Sequence, residues 1–200
     1  MYGNDTVGDC TCAAVGHIIE EGQLYNRQPV TPTTESVLAA YSAITGYTPS
    51  DPNSDTGAAC LDVLKYWKAT GICGNKIAAY VTLDITNIEE IKDAIYLFGA
   101  AYTGIELPVT AQGEDPWIVT TTTGRGAPGS WGGHCVPLMS YNANWTTAIT
   151  WGQPLGLSWA WWKEYGVEAY AVLDSSWIEP GKVAPNGFNL AQLQADLALL

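Results

Sequence analysis

Two cysteines stand one residue apart in the stretch GNDTVGDCTCAAVGH, residues 3–17, and a thiol is the most reactive nucleophile this chain has to offer. The reactive form is the thiolate, and a helix N-terminus lowers a thiol's pKa because unpaired N–H groups there favour negative charge. Cys10 falls at such an end, where the turn-rich GNDTVGD gives way to small helical residues. Cys12 is rotated about 200° around the helix axis and faces away. Its natural place is the core, as a small apolar filler. A nucleophilic thiol also needs an imidazole, usually distant in sequence and close in the fold. His17 and His134 are the only histidines. His17 shares the face of Cys10 but lies about 10 Å along the axis, out of hydrogen-bond range. His134 opens an apolar strand after the glycine-rich SWGGH, residues 130–134, and is the candidate base. The plainer alternatives are a packing thiol at Cys10 and an ordinary strand-end histidine at His134.

These groups need elements to hold them. A first helix is expected over Cys10–Glu21, with Asp9 as cap and Gly22 as stop; Asp5 and Asp9 read as capping and solvating residues. A second follows TPTTES with Thr33 or Thr34 as N-cap and Gly46 as stop, and a third spans about 57–70 up to Gly71. Residues 45–57 are turn and loop. AAYVTLDI, 78–85, reads as a strand, Asn87 caps a fourth helix ending at Gly99, and AAYTGIELP, 100–108, is a strand again. After a loop over 121–133 come strands HCVPLMSYN, WTTAITWG and AYAVLDSSWI. Helices first and antiparallel strands later predict an α+β fold, one domain over 1–200 with a helical lobe of about 1–80, a β-rich lobe of about 81–200 and a cleft between them.

The order of these features resembles the papain-like cysteine peptidases. In that family a Gln six residues before the nucleophile donates to the oxyanion; here Asn4 stands six before Cys10 and Thr6 six before Cys12, and only the amide selects a cysteine. DTGAACLDVLKYWKATGICG, 55–74, is similar to the family's glycine-rich turn and helix, and NIEEIKDAIYLFGAAYTGIEL, 87–107, to its helix leading into a strand under the cleft. GGHCVPLMSYN resembles its H-A-V-x-L-V-G-Y strand, which puts His134 at the catalytic histidine. ITWGQPLGLSWAWWKEYGVEAYAVL resembles the segment with its N-S-W-G, with Trp151 and Gly152 as the W-G. The Asn that orients the imidazole is replaced: its position holds Ile149, or Thr150 if one residue is deleted, with Asn142 and Asn144 as other candidates. The C-G-[SA]-C-[WY] signature is absent. The stretch before the nucleophile is short for the family, as in a processed product or a compact variant.

The resemblance implies a peptidase or amidase with Cys10, His134 and Thr150 in the site, Asn4 at the oxyanion, a peptide or protein substrate and no cofactor. Its bacterial and phage members, some without activity, imply the alternative of an inactive structural or assembly module, for instance in a virus particle. Twenty acidic against eight basic residues, a net charge of −12, argue against nucleic acid as a partner. No apolar run approaches the roughly 18 residues a membrane helix needs, and the first residues lack a signal-peptide pattern, so no address is legible. Five cysteines leave at least one thiol outside any intramolecular disulfide; Cys60 and Cys73 are too far apart along one helix to bridge, and Cys12, Cys60, Cys73 and Cys135 read as fillers. No zinc spacing is present. Nine tryptophans and eleven tyrosines suit a β-rich core or a surface for other subunits, with Trp159, Trp161 and Trp162 as core or interface.

Overall fold

The small-residue run after Asp9 forms α1, Cys10–Asn26, in a computed structural model that describes residues 1–26 and 31–179 and a few positions between 186 and 195. Cys12, Val15 and Ile19 are buried along it, and Ala13 and Ala14 are too, so α1 is central and is covered nearly all round. Gly16 is needed for that closeness, since a Cβ there would come 2.8 Å from the Tyr2 ring. Gly22 does not stop the helix, contrary to expectation. It stays helical and buried, and a Cβ on it would face Trp177 at 3.7 Å; its smallness serves packing rather than a left-handed cap.

The remaining helices are set by their ends. α2, Thr34–Thr45, has a reciprocal capping box between Thr33 and Ser36 and ends at Gly46 with φ 80°. α3, Cys60–Ala69, starts three residues later than expected. The Tyr41 hydroxyl accepts from Gly57 N at 2.9 Å and donates to Asp55 at 2.6 Å, which pins the preceding turn open. α4, Ile88–Phe98, is capped by Asn87 and closed by Gly99.

Six antiparallel strands form one sheet: β1 Ile77–Thr82, β2 Ala101–Leu107, β3 Gly132–Tyr141, β4 Trp145–Thr150, β5 Gln153–Ser158 and β6 Gly166–Asp174. Their order is β1-β6-β2-β3-β4-β5. Alternation along the strands feeds two cores. Tyr102, Cys135, Tyr170 and Val172 pack with α1, α2 and α3, whereas Ala101, Val136, Ala169 and Ala171 pack with α4 and the tryptophans.

Two elements have no counterpart in the sequence reading. QPLGLS forms β5 in spite of its Pro and Gly, because Pro154 lies on an edge strand where no ladder donor is missed. The edge is partly covered: Trp117 N donates to Gly156 O at 2.8 Å and Ser158 N to Trp117 O at 3.2 Å. WAWWKEY forms α5, Trp159–Tyr165, capped by Ser158. Trp159, Trp161 and Trp162 are all buried, so this cluster is interior; among the described residues the exposed large aromatics are Tyr96, Trp131 and Tyr141. No helix among the described residues is long and apolar enough to cross a membrane.

Candidate active site

Cys10 is the first residue of α1, and α1 lies against β3. Burial pushes its thiol up to about 11, although the backbone N–H groups of Cys135 and Thr11 favour the anion. Spacing alone led to the expectation of a lowered thiol pKa; desolvation outweighs the helix end here. Cys12, two residues on, is fully buried in the helical core, and burial raises its thiol to about 12. All five cysteines are free thiols.

His134 sits near the start of β3, paired with Ile105 of β2. Its Nε2 is 2.8 Å from the Thr150 hydroxyl, the last residue of β4. Of the residues considered as orienter, Thr150 is the one bonded to the ring. Asn142 instead accepts from the N–H groups of Asn144 and Trp145 in the β3–β4 turn, and Ile149 has no polar atom to offer. Burial lowers the His134 imidazole to about 4. His17 turns to Glu20, at 3.4 Å, and its ring packs on Tyr2.

The geometry of this pair depends on a turn that reads as strand in the sequence. Trp151 and Gly152 have φ of 46° and 71° and form the two-residue connection between β4 and β5, with Thr150 opposite Gln153. Positive φ at both central residues is the hallmark of the type I′ hairpin, whose twist matches the strands it joins. Glycine meets this freely; tryptophan does so under strain, of the kind that persists where surroundings over-determine a residue. Here they do. The Trp151 ring stacks on His134 at 4.9 Å and 12°, Trp131 stacks on its neighbour Trp151 at 5.4 Å, and buried Trp117 meets Trp151 edge-on at 6.3 Å. The indole covers the imidazole beside its bond to Thr150.

Asn4 lies in the turn before α1, with Nδ2 donating to Val7 O at 3.2 Å. Asn4, Cys10 and His134 all line one cleft of about 670 Å³, and Gly57, Glu106 and Glu168 line it too. Thr150 stands behind His134. Glu168 lies across Gly104, where a Cβ would be 2.7 Å from it. Among the described residues, the carboxylates of Glu106 and Glu168 are the charged side chains that line the cleft. Neither is singled out in the sequence: Glu106 stands inside the strand AAYTGIELP, where an isolated Glu is a usable signal, and Glu168 lies just ahead of AYAVLDSSWI. Asp9, read as a solvated cap, is instead fully buried, and the N–H groups of Cys12 and Ala13 donate to its main-chain oxygen rather than its side chain. Among the described residues no group of His, Cys, Asp and Glu is arranged to hold a metal.

Cys10 at the head of α1 and His134 near the start of β3 line the same cleft, and the helices and antiparallel sheet that carry them have the papain-like fold. Xylellain, a cysteine protease from Xylella fastidiosa, superposes with a TM-score of 0.64 at 13% identity over 84% of this chain and 80% of that one. The Carica candamarcensis cysteine protease CMS1MS2, in complex with E-64, superposes with a TM-score of 0.58 at 12% identity over 84% and 89%. No family model and no curated protein sequence matches the chain.

Proposed function

We propose that the chain is a thiol hydrolase that cleaves amide bonds of peptides, with Cys10 as nucleophile and His134 as its base. The observation that carries this reading is the bond from His134 Nε2 to Thr150 under the Trp151 ring. With Nε2–H donating to the hydroxyl, Nδ1 keeps its lone pair and can take the thiol proton. Burial drives thiol and imidazole alike toward neutrality, up to about 11 and down to about 4, so the pair rests uncharged. The proton then passes directly from sulfur to ring, and the two charges arise together and attract. The thiolate adds to the carbonyl carbon, the Cys10 N–H and the Asn4 amide hold the oxyanion, and the imidazolium protonates the departing amine. A water activated by the same ring then releases the acyl group. Among the described residues two carboxylates and no lysine or arginine line the cleft, which suits neutral or basic substrates.

The test is peptide-mapped alkylation with limiting iodoacetamide between about pH 6 and 8. Cys12, Cys60 and Cys135 are buried, so access alone confines labelling to Cys10 and Cys73, which peptide mapping tells apart. Dependence on His134 is the deciding result. Labelling of Cys10 that collapses in His134→Ala supports the hydrolase; labelling indifferent to that change leaves a papain-like scaffold used for structure or assembly.

Thr150→Val removes the partner of Nε2 while keeping the shape. Hydrolysis is expected to fall about tenfold or more through a misdirected ring, with little change in Tm, and Thr150→Ser is expected to restore most of it. Equal rates in wild type and Thr150→Val would remove Thr150 from the site.

A further inference from the structure

The chemistry above makes no use of one carboxyl. Asp9 directly precedes Cys10, is 0% exposed, and neither of its carboxylate oxygens has a hydrogen-bond partner. Such a group is rare, because burying a carboxyl unpaired costs free energy that an apolar residue would avoid. The groups around it compensate only in part. Asn4 spends an amide hydrogen on Val7 O, Asp55 accepts from Gly8 N and from Tyr41, and the other titratable neighbours are Asp5, Cys10, Cys12 and Tyr41. No cationic side chain is among them. Burial raises the Asp9 carboxyl to about 7, against a smaller opposite pull from the Asn4 amide, with Asp55 and Asp5 adding to the rise.

The positive feature at this point is the N-terminus of α1, worth about half a unit charge. Two adjacent groups compete for it: the Asp9 carboxylate, and the Cys10 thiolate with the oxyanion that follows. In a poorly solvated site, two like charges this close suppress each other's ionisation by about tenfold or more. Beyond burial, charge on Cys60 and then on Asp9 works against ionisation of Cys10.

We propose that Asp9 is a positioning residue acting through Cys10: protonated, it leaves the helix end free for the thiolate, and on ionising it turns the nucleophile down. The inference rests on the reading of Cys10 as nucleophile. It predicts a nucleophile whose reactivity stops gaining with pH near neutrality, because the share of molecules with Asp9 protonated falls as pH rises through about 7.

The experiment is the rate of Cys10 alkylation by iodoacetamide from about pH 5 to 9, on the full chain and on Asp9→Asn. In wild type the rate is expected to level off above about pH 7; in Asp9→Asn it keeps rising, and exceeds wild type by about tenfold at pH 8.5. Difference infrared spectra of the wild type are expected to show a protonated-carboxyl band that titrates near neutrality and is missing from the variant. Matching rate profiles, or no such band at about pH 6, overturns the proposal. Should Asp9→Asn not fold, as circular dichroism would tell, Asp9→Ser and the wild-type infrared titration carry the test. Failure of the hydrolase reading looks different: His134→Ala then leaves Cys10 labelling unchanged, whatever Asp9 does.

Discussion

Cys10→Ser is expected to lose about three to four orders of magnitude of hydrolytic rate while keeping the wild-type Tm. Serine is nearly isosteric, and Cys10 is only partly buried, so the fold has little to lose. The chemistry loses much more. A hydroxyl ionises far less readily than a thiol, and burial already pushes the Cys10 thiol up to about 11, so a neutral imidazole brought down to about 4 is a poor base for an alcohol. His134→Ala is expected to fall to a similar floor, and the double variant to be no slower than either single one, because residues acting as a unit are not additive. What survives in each is binding and oxyanion stabilisation. The measurement is kcat/KM on a fluorogenic peptide that wild type cleaves; multiplicative losses in the double variant would show that the two side chains do not act on the same step.

The second large effect is on stability and reaches the site through the tryptophans. Trp117 is fully buried, stacks on Trp161 at 4.8 Å, meets Trp151 edge-on and donates from Nε1 to Ala111 O at 3.1 Å. Trp117→Ala is expected to cost about 3–5 kcal/mol, the range for removing a large aromatic from a core. Urea denaturation followed by circular dichroism measures it. Because Trp117 also backs Trp151, the folded fraction is expected to turn over more slowly as well, and Trp117→Phe to recover part of both. A loss below about 1 kcal/mol would mean that the site collapses around the missing ring or that water fills it without strain.

What was legible in the sequence divides along physical lines. Local signals worked: Thr33 with Gly46 and Asn87 with Gly99 bound their helices through hydrogen bonds made within a few residues. Helical spacing separated the two thiols, with Cys12 fully buried and Cys10 on the cleft. Tertiary context was not legible. Gly22 looks like a stop until Trp177, 155 positions away in the chain, is seen packed over it. The strand-like run through Trp151 hides a turn, since nothing in the residue type announces a tryptophan at positive φ. Asp9 has the right type and place for a cap, yet the surrounding loop and α2 seal it from water. The thiol pKa was misread in sign for the same reason: a helix end is a sequence feature, whereas desolvation belongs to the assembled fold.

The strand order has a consequence for how the molecule comes into being. β6, residues 166–174, lies between β1 and β2, which precede it in the chain by more than 50 residues. While the chain is being synthesised, β1 and β2 therefore wait with open edges until β6 has left the ribosome, and only then can the sheet under the cleft close. Pairings of such long sequence separation fold slowly and leave sticky edges in the interval. The same order means that the cleft cannot be assembled ahead of the rest: a growing chain acquires its full floor as one of the last events of folding.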